Sequence, residues 1–485
     1  MYAIFTLECK KALSSRKNRL ILVLYTMLLI VFILANMRTF SDVREREMQR
    51  FLTMSALSEI NADLRWSRTS YNPYVDEYRA THWGADVEFN RSTQYNTRGY
   101  RMQRQSAEYG RLMILAMTEN DRETELVVIN SLHRIYEEFL KYRIDLFSDT
   151  QRRDGNSVVV RNHHGYLIPV SWTDAFRYYE AQHNFTRHFI ENDILFIYES
   201  EMRGLNFTYQ ALRQILPIIM MFIITLSLSD IFTSDNQWGS YKFLLVNPVS
   251  RAKVYIAKVI SASTIAFVMV FGSIAVLGFT MGIINGFGPV NYPILTQRGA
   301  YTSFNALRNN IHLDGRIGNI SYWGGIFQMQ YELENNGMAY ATDHHAIGLT
   351  PITSAHLLRS YYFAPNLGLR YTPMLQVVFM TMPLYFLLIL LVSATSALLS
   401  VIFQRGLPTM ITGAILSLAV LLFPAPVSNI SIFARLNPFL YVNPINILNG
   451  LGSTTALTGV VVLAGWSVVL VAIGIRLFNK QDIKC

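Results

Sequence analysis

The sequence predicts an all-α, polytopic membrane protein with six transmembrane helices. Three observations lead to this fold class. Of the 485 residues, 51% are hydrophobic, the apolar residues gather into six long runs, and the basic residues lie at alternate ends of these runs. A helix needs about 20 apolar residues to cross the hydrocarbon core of a bilayer. The predicted spans are 20–37, 215–231, 257–285, 374–403, 407–425 and 456–478.

Basic residues set the predicted orientation of the spans. With the N-terminus in the cytoplasm, the pieces 1–19, 230–258 and 476–485 together with Arg405 carry the whole net charge of +9. Only one lysine, Lys141, then falls outside. Positive charge accumulates on cytoplasmic loops, so both termini are predicted to be cytoplasmic. The basic excess is explained by anionic lipid at the inner surface, and nucleic acid is not expected as a partner.

The cysteine content bears on the compartment. Cys9 and Cys485 are the two cysteines of the chain, and both fall in predicted cytoplasmic segments, so no disulfide framework is expected. An exported region without cysteine favours the cell membrane of a Gram-positive bacterium. The first span is too long for a signal peptide and lacks a small-residue cleavage site.

The first segment, 1–19, is predicted to be an amphipathic interface helix on the cytoplasmic surface of the membrane. Apolar residues recur at every fourth position, and charged residues point elsewhere. The apolar residues are Phe5, Cys9 and Leu13, and the charged ones are Glu8, Lys10 and Lys11.

Between spans 1 and 2 lies a large extracellular insertion, 38–213, predicted to be a mainly helical domain. The predicted helices are 40–64, 125–147 and 174–212. The stretches 157–160 and 166–170 predict a β-hairpin. The many carboxylates of this insertion are balanced by arginines, which indicates solvated helix faces or salt-bridge networks.

Two further extracellular loops are predicted. The insertion 286–373, between spans 3 and 4, is smaller and shows little periodicity. The loop 426–455 is too apolar for a free surface loop, and its prolines predict short re-entrant helices that protein must cover. The candidate re-entrant or gate residues are Asn437, Pro438, Tyr441 and Pro444.

Spans 2 and 3 are joined by a predicted cytoplasmic coupling helix region, 232–256. Its middle is amphipathic, and a proline ends the predicted helix. A partner protein could bind the apolar side of this helix, although a plain connector that anchors two spans would look similar. The candidate coupling residues are Asp235, Trp238, Gly239, Tyr241, Lys242, Leu245, Pro248 and Arg251.

Three short stretches follow one another in a set order around the six spans. They are Phe5, Glu8, Lys10 and Lys11 before span 1; Trp238 to Leu245 with Asn247 to Arg251 before span 3; and Asn437 to Pro444 before span 6. In this order, and with the charge sidedness above, they resemble the permease subunit of ABC type-2 exporters, also called type V exporters. The resemblance covers the spans and their short connections, and it leaves out the two large insertions.

The resemblance implies a pore-forming subunit of the type V exporter fold, paired with itself or with a related permease. A separate ABC ATPase would contact Lys242 through Arg251, while Glu8, Lys10 and Lys11 would contact that ATPase or the lipid. The sequence contains no G-x-x-x-x-G-K-[ST] phosphate loop, which such an ATPase uses to bind ATP. We therefore expect no cofactor and no catalytic site in this chain, with ATP and Mg²⁺ bound by the partner subunit.

The substrate class follows from the spans and from the habits of the family. The predicted spans carry no charged residue at mid-depth, unlike those of ion-coupled carriers, and this favours a peptide, an amphipathic antimicrobial or a lipid-like molecule. No metal site is predicted, because the pairs His163-His164 and His344-His345 read as solvated loop residues.

Two other functional classes remain open at the level of sequence. One is a surface receptor or scaffold, for antimicrobial-peptide sensing or immunity, whose domain 38–213 binds a ligand. The other is a membrane-embedded enzyme, for which the sequence offers carboxylates without a recognisable arrangement.

Overall fold

The computed structural model of the protein describes residues 2–69, 104–105, 107–146, 157–161, 167–171, 187–195, 197, 200–229, 231–233, 250–297, 369–422, 435–448 and 455–480. These residues are mainly helical, in agreement with the predicted class. The helices are α1 (Tyr2–Ser14), α2 (Arg16–Thr69), α3 (107–119), α4 (Arg122–Leu146), α5 (Gly204–Gln210, the π-helical turn Ala211–Ile215 and Leu216–Leu228), α6 (Arg251–Asn285), α7 (Met374–Phe403), α8 (Gly406–Leu422), α9 (Pro444–Leu448) and α10 (Ala456–Lys480).

The chain divides into two compact units. The first, called the span unit below, comprises Met1–Met37, Glu199–Tyr331 and Ala364–Cys485. The second comprises Arg38–Tyr198 and Glu332–Phe363. All of the predicted spans belong to the span unit.

Within the described residues, four helices are long and apolar enough to cross a membrane. They are the first part of α2, Arg16–Asp42, and the whole of α6, α7 and α10. Helix α5 would make a fifth as one span bent by 78°, and α8 is apolar over the shorter range Gly406–Ala419. The count of six spans stays a prediction.

The N-terminal segment is not one helix over 1–19 as the pattern predicts. It breaks at Ser15, where α1 has ended and α2 has not yet begun. The side chains of Asn18 and Arg19 donate hydrogen bonds to carbonyl groups in the last turn of α1, over 3.0 and 3.2 Å. They supply donors to carbonyls at a helix end, where backbone partners run out, so the chain can turn there.

The predicted helix 174–212 is wrong in its second half, and its part before residue 187 lies outside the described residues. The described chain is helical at 187–191, leaves the helix, and becomes helical again at Gly204. Asp193 adopts a left-handed backbone with φ of 50°, and the amide of Ile194 bonds to the carbonyl five residues earlier over 2.9 Å. This bonding pattern ends a helix.

The predicted helices 40–64 and 125–147 are confirmed by α2, which continues to Thr69, and by α4. In the second unit, α2 packs closely against α3. The hydroxyl of Ser55 donates to the carbonyl of Ala107 over 2.9 Å, and a Cβ added at Gly110 would lie 3.1 Å from the Cβ of Ser55.

One buried carboxylate joins the helices of the second unit. The side chain of Glu125 is fully buried and accepts from Arg122 at 2.8 Å and from Arg44 at 3.2 Å. Arg44 also donates to the side chain of Asn120 at 2.7 Å. Some of the predicted pairs between arginines and carboxylates therefore form an internal network that links α2 with α4.

Two antiparallel strand pairs complete the described structure. The predicted hairpin is confirmed by Ser157–Arg161 (β1) and Leu167–Ser171 (β2). In the span unit, Pro293–Gln297 (β3) pairs with Leu369–Pro373 (β4), which the sequence pattern did not predict. This pair holds together the two ends of the predicted insertion 286–373.

Helices α5 and α6 approach each other through glycine. A Cβ added at Gly204 would lie 2.6 Å from the carbonyl oxygen of Gly278 and 2.8 Å from the Cα of Gly282. The amide of Gly204 also donates to the carbonyl of Gly286 over 3.1 Å. Only a residue without a side chain fits at this backbone contact.

Replacing this glycine tests the close packing of the two helices. Gly204→Ala is expected to lower the thermal unfolding midpoint of the purified chain, because overpacking costs about 1–3 kcal/mol. Gly272→Ala in α6 is a matched control, since nothing lies within 4 Å of the Cβ it would add. Equal midpoints for the two variants would contradict the packing.

Candidate functional site: a buried junction beside the coupling segment

A buried ion pair joins the N-terminal helix to α6. The ammonium of Lys258 lies 2.7 Å from a carboxylate oxygen of Glu8, and the two side chains are 0% and 10% exposed. Lys258 also donates to the carbonyl of Ile231 over 3.3 Å and lies 5.5 Å from the ring centre of Phe232. One lysine therefore links α1, α6 and the chain just beyond α5.

An aromatic cluster surrounds this pair and adds two more helices. Phe232 stacks on Tyr255 of α6 at 5.0 Å and meets Phe478 of α10 at 5.3 Å between ring centres. The amide of Phe232 donates to the hydroxyl of Ser400 in α7 over 3.2 Å. We call Glu8, Lys258, Phe232, Tyr255 and Phe478 the junction. Five elements of the span unit meet there.

The junction holds both ends of the predicted coupling segment. Seven candidate coupling residues lie outside the described residues: Asp235, Trp238, Gly239, Tyr241, Lys242, Leu245 and Pro248. Described structure stops at Thr233, next to Phe232, and resumes at Ser250. Arg251, the eighth candidate, begins α6 and donates to the carbonyl of Asn479 over 3.2 Å. Both described ends of the segment therefore contact α10.

The predicted interface residues divide into an inward and an outward set. Glu8 points into the span unit, whereas Lys10 and Lys11 are exposed and Phe5 is partly buried. Sequence reasoning did not pair Glu8 with Lys258. The signal was a lysine two helical turns inside α6, where an isolated charge is costly to bury and needs a partner.

Of the predicted re-entrant loop 426–455, the structure describes 435–448 and residue 455. The part 435–448, called the gate segment below, contains two short helices that begin at the predicted prolines. Pro438 opens the 3₁₀ helix Pro438–Tyr441, and Pro444 opens α9. Asn437 caps the first of them, because its side-chain oxygen accepts from the amide of Phe439 over 3.0 Å. Tyr441 is fully buried and donates its hydroxyl proton to a carbonyl at 2.8 Å.

A π-helical turn in α5 anchors the gate segment. The side chain of Asn443 donates to the carbonyl of Arg213 over 2.9 Å, and the hydroxyl of Tyr385 in α7 donates to the carbonyl of Leu212 over 2.6 Å. π-helical turns often occur at functional sites. Hydrophobic periodicity cannot reveal this turn, because the local sequence remains compatible with an α-helix.

A cavity of about 500 Å³ lies between α5, α7, α8, α10 and the gate segment. Most of its wall is aliphatic or aromatic. Two predicted gate residues, Asn437 and Pro438, are part of this wall. Within the described residues, no group of three or more His, Cys, Asp or Glu side chains is placed to hold a metal ion.

A family profile described as ABC-2 family transporter protein matches residues 2–483. The chain belongs to this family. No curated protein and no solved structure matches the chain. The family match extends over both large insertions, which the short motifs did not cover.

Membership identifies the chain as an ABC permease, as the sequence resemblance implied. Such permeases are generally non-catalytic membrane subunits, and they generally work with an ABC ATPase. The junction of this ABC-2 protein thus lies where the predicted ATPase-contacting segment leaves α5 and enters α6.

Breaking the buried pair is expected to destabilise the permease. Glu8→Gln leaves the Lys258 ammonium buried without its counter-charge, which costs about 3–5 kcal/mol, so the thermal unfolding midpoint should fall. The double variant Glu8→Leu with Lys258→Met removes both charges and should regain most of that loss. Lys10→Gln, at an exposed position on the same helix, should leave the midpoint unchanged. A Glu8→Gln midpoint equal to that of Lys10→Gln would contradict the pairing.

The pKa of the Cys9 thiol offers a second test of the negative charge on Glu8. Burial raises the pKa of the Cys9 thiol, and the negative charge of Glu8 raises it further. In a Cys485→Ser background, alkylation of Cys9 should therefore reach its half-maximal rate at a higher pH than alkylation of a free peptide thiol. Glu8→Gln removes one cause of the raised pKa, so its midpoint should move to lower pH. The alkylation rate at the high-pH plateau separately reports how accessible the Cys9 thiol is. An equal midpoint pH with and without Glu8→Gln would refute the effect of Glu8.

Proposed function

We propose that this chain is the permease subunit of an ATP-driven exporter, and that a separate ATPase drives it through the segment 232–256. One observation carries the proposal. Both ends of that segment are anchored at the junction, within one packed cluster that includes α1, α6, α7 and α10. A segment fixed at both ends to the spans can pass on the movement of a protein bound to its middle.

The junction is suited to transmit force because its buried contacts tie the ends of the segment to the spans. The buried pair of Glu8 and Lys258 ties α1 to α6, so these two helices would move together. The stacked rings of Phe232 and Tyr255 make the chain after α5 and the start of α6 move together. Packed interiors of this kind switch between discrete arrangements instead of deforming gradually.

The proposed assembly follows the sequence prediction. Six spans place both termini in the cytoplasm of a bacterium, the insertions 38–213 and 286–373 lie outside, and the permease pairs with itself or a related chain. ATP and Mg²⁺ bind to the ATPase subunits. Movement of 232–256 opens a route for a peptide, an amphipathic antimicrobial or a lipid-like molecule, and the gate segment 435–448 closes its outer end.

Co-purification in mild detergent tests the pairing with an ATPase. The tagged chain should bring down an ATPase in stoichiometric amount, together with ATP hydrolysis. Arg251→Glu with Leu245→Asp should abolish both, because the variant puts negative charge into the proposed contact. Arg187→Glu with Leu195→Asp makes the same chemical changes at exposed positions of the second unit and should leave both intact.

The outcome also separates the competing functional classes. A well-folded chain that brings down no ATPase would contradict the exporter proposal and favour a receptor or scaffold. If the Arg251→Glu, Leu245→Asp variant retained the ATPase, the exporter proposal would remain. The proposed role of 232–256 as the ATPase contact would be refuted.

A further inference from the structure

The cavity between the helices has the chemistry of a site for a hydrocarbon chain. Its wall includes Met221 from α5, Leu391 and Leu399 from α7, Leu416 from α8 and Leu470 from α10. None of the described residues that line it carries a charge. At about 500 Å³, its volume lies within the usual range for small-molecule pockets, roughly 300–1,000 Å³.

The polar groups in the wall do not call for a polar ligand. The hydroxyl of Thr395 donates to the carbonyl of Leu391 over 2.9 Å, and that of Ser417 donates to the carbonyl of Gly413 over 2.9 Å. The indole N–H of Trp466 donates to a carbonyl of the gate segment over 2.8 Å. These three donors are already used inside the protein, so an apolar occupant costs none of them a hydrogen bond.

The cavity borders the two parts of the permease that are proposed to move. Asn437 and Pro438 of the gate segment form one part of the wall. Leu470 forms another part and also packs against the hydrophobic cluster that contains Phe232, Tyr255 and Phe478. A shift at the junction therefore changes the shape of the cavity directly.

The cavity also adjoins exposed apolar surface on the predicted spans 5 and 6 and on the gate segment. Leu416 and Leu436 line it while 41% and 52% exposed, and Trp466 is 43% exposed. An acyl chain could thus enter from the hydrocarbon phase without crossing a polar barrier.

We propose that this cavity binds one hydrocarbon chain of the molecule that the permease exports. The inference rests on the proposed function and narrows its substrate class to lipid-like amphiphiles with at least one alkyl chain. A resident membrane lipid has the same chain chemistry, so the test must separate a carried chain from a permanent one.

Photo-cross-linking measures occupancy directly. The probe is a lysophosphatidylcholine with a diazirine near the middle of its single acyl chain, added to the full chain in lipid nanodiscs. Cross-links should map to the cavity wall. Leu416→Trp should lower their yield by roughly tenfold, the effect of losing about two buried methylene contacts. Leu399→Trp, which fills the cavity from α7, should act in the same way.

Ile415→Trp is the matched control for size and hydrophobicity. Ile415 neighbours Leu416 but is 62% exposed and lies outside the cavity wall, so the yield should stay unchanged. Unfolding midpoints of all three variants confirm that each is folded. Cross-links confined to lipid-facing positions, or an equal loss in Ile415→Trp, would overturn the site.

A second arm contains the co-purified ATPase with ATP or with a non-hydrolysable analogue. A carried chain leaves the cavity during turnover, so ATP should lower the cross-link yield relative to the analogue. A yield that ATP does not change identifies a resident lipid and overturns the assignment to the exported molecule. The nanodisc arm contains no ATPase, so failure of the exporter proposal would appear only in co-purification and would not be mistaken for failure of the site.

Discussion

The buried pair of Glu8 and Lys258 is the constraint on which the rest of the span unit depends. An ammonium buried two turns inside a span helix must be neutralised, because an unpaired charge there is far costlier than a paired one. The carboxylate comes from α1, so the N-terminal helix has to lie against α6. Phe232 and Tyr255 pack beside the pair and hold the chain just beyond α5 against α6.

The same helices that meet at the junction also form the cavity and hold the gate segment. In helix α7, Ser400 accepts a hydrogen bond from Phe232 of the junction, Thr395 lines the cavity, and Tyr385 bonds to the π-helical turn of α5. Helix α10 contributes Phe478 and Leu470 to the first two of these sites. Three sites built on shared helices cannot change independently, which is the physical requirement for coupling between a cytoplasmic partner and a substrate route.

The elements that the sequence predicted correctly are those whose signals are local. Helices 125–147 and 374–403 and the hairpin were predicted within a few residues, because their patterns lie in contiguous sequence. The break at Ser15 and the end of the helix near Asp193 were missed, since side-chain bonds from Asn18 and a left-handed backbone end these helices. These two helix ends depend on the conformation of the chain as well as on its composition. Strands β3 and β4 were missed because their partners are separated by a long insertion.

Hydropathy and charge were enough to predict a helical membrane protein, because the cost of burying charge in hydrocarbon acts residue by residue along the chain. The family resemblance came from three short motifs in a set order, and these motifs singled out Glu8, Asn437 and Pro438. The pairing of Glu8 with Lys258, 250 positions away, was decided only by the tertiary structure, as was the cavity beside Asn437. Contacts between distant residues depend on how whole helices pack, and the periodicity of one helix does not specify its neighbour.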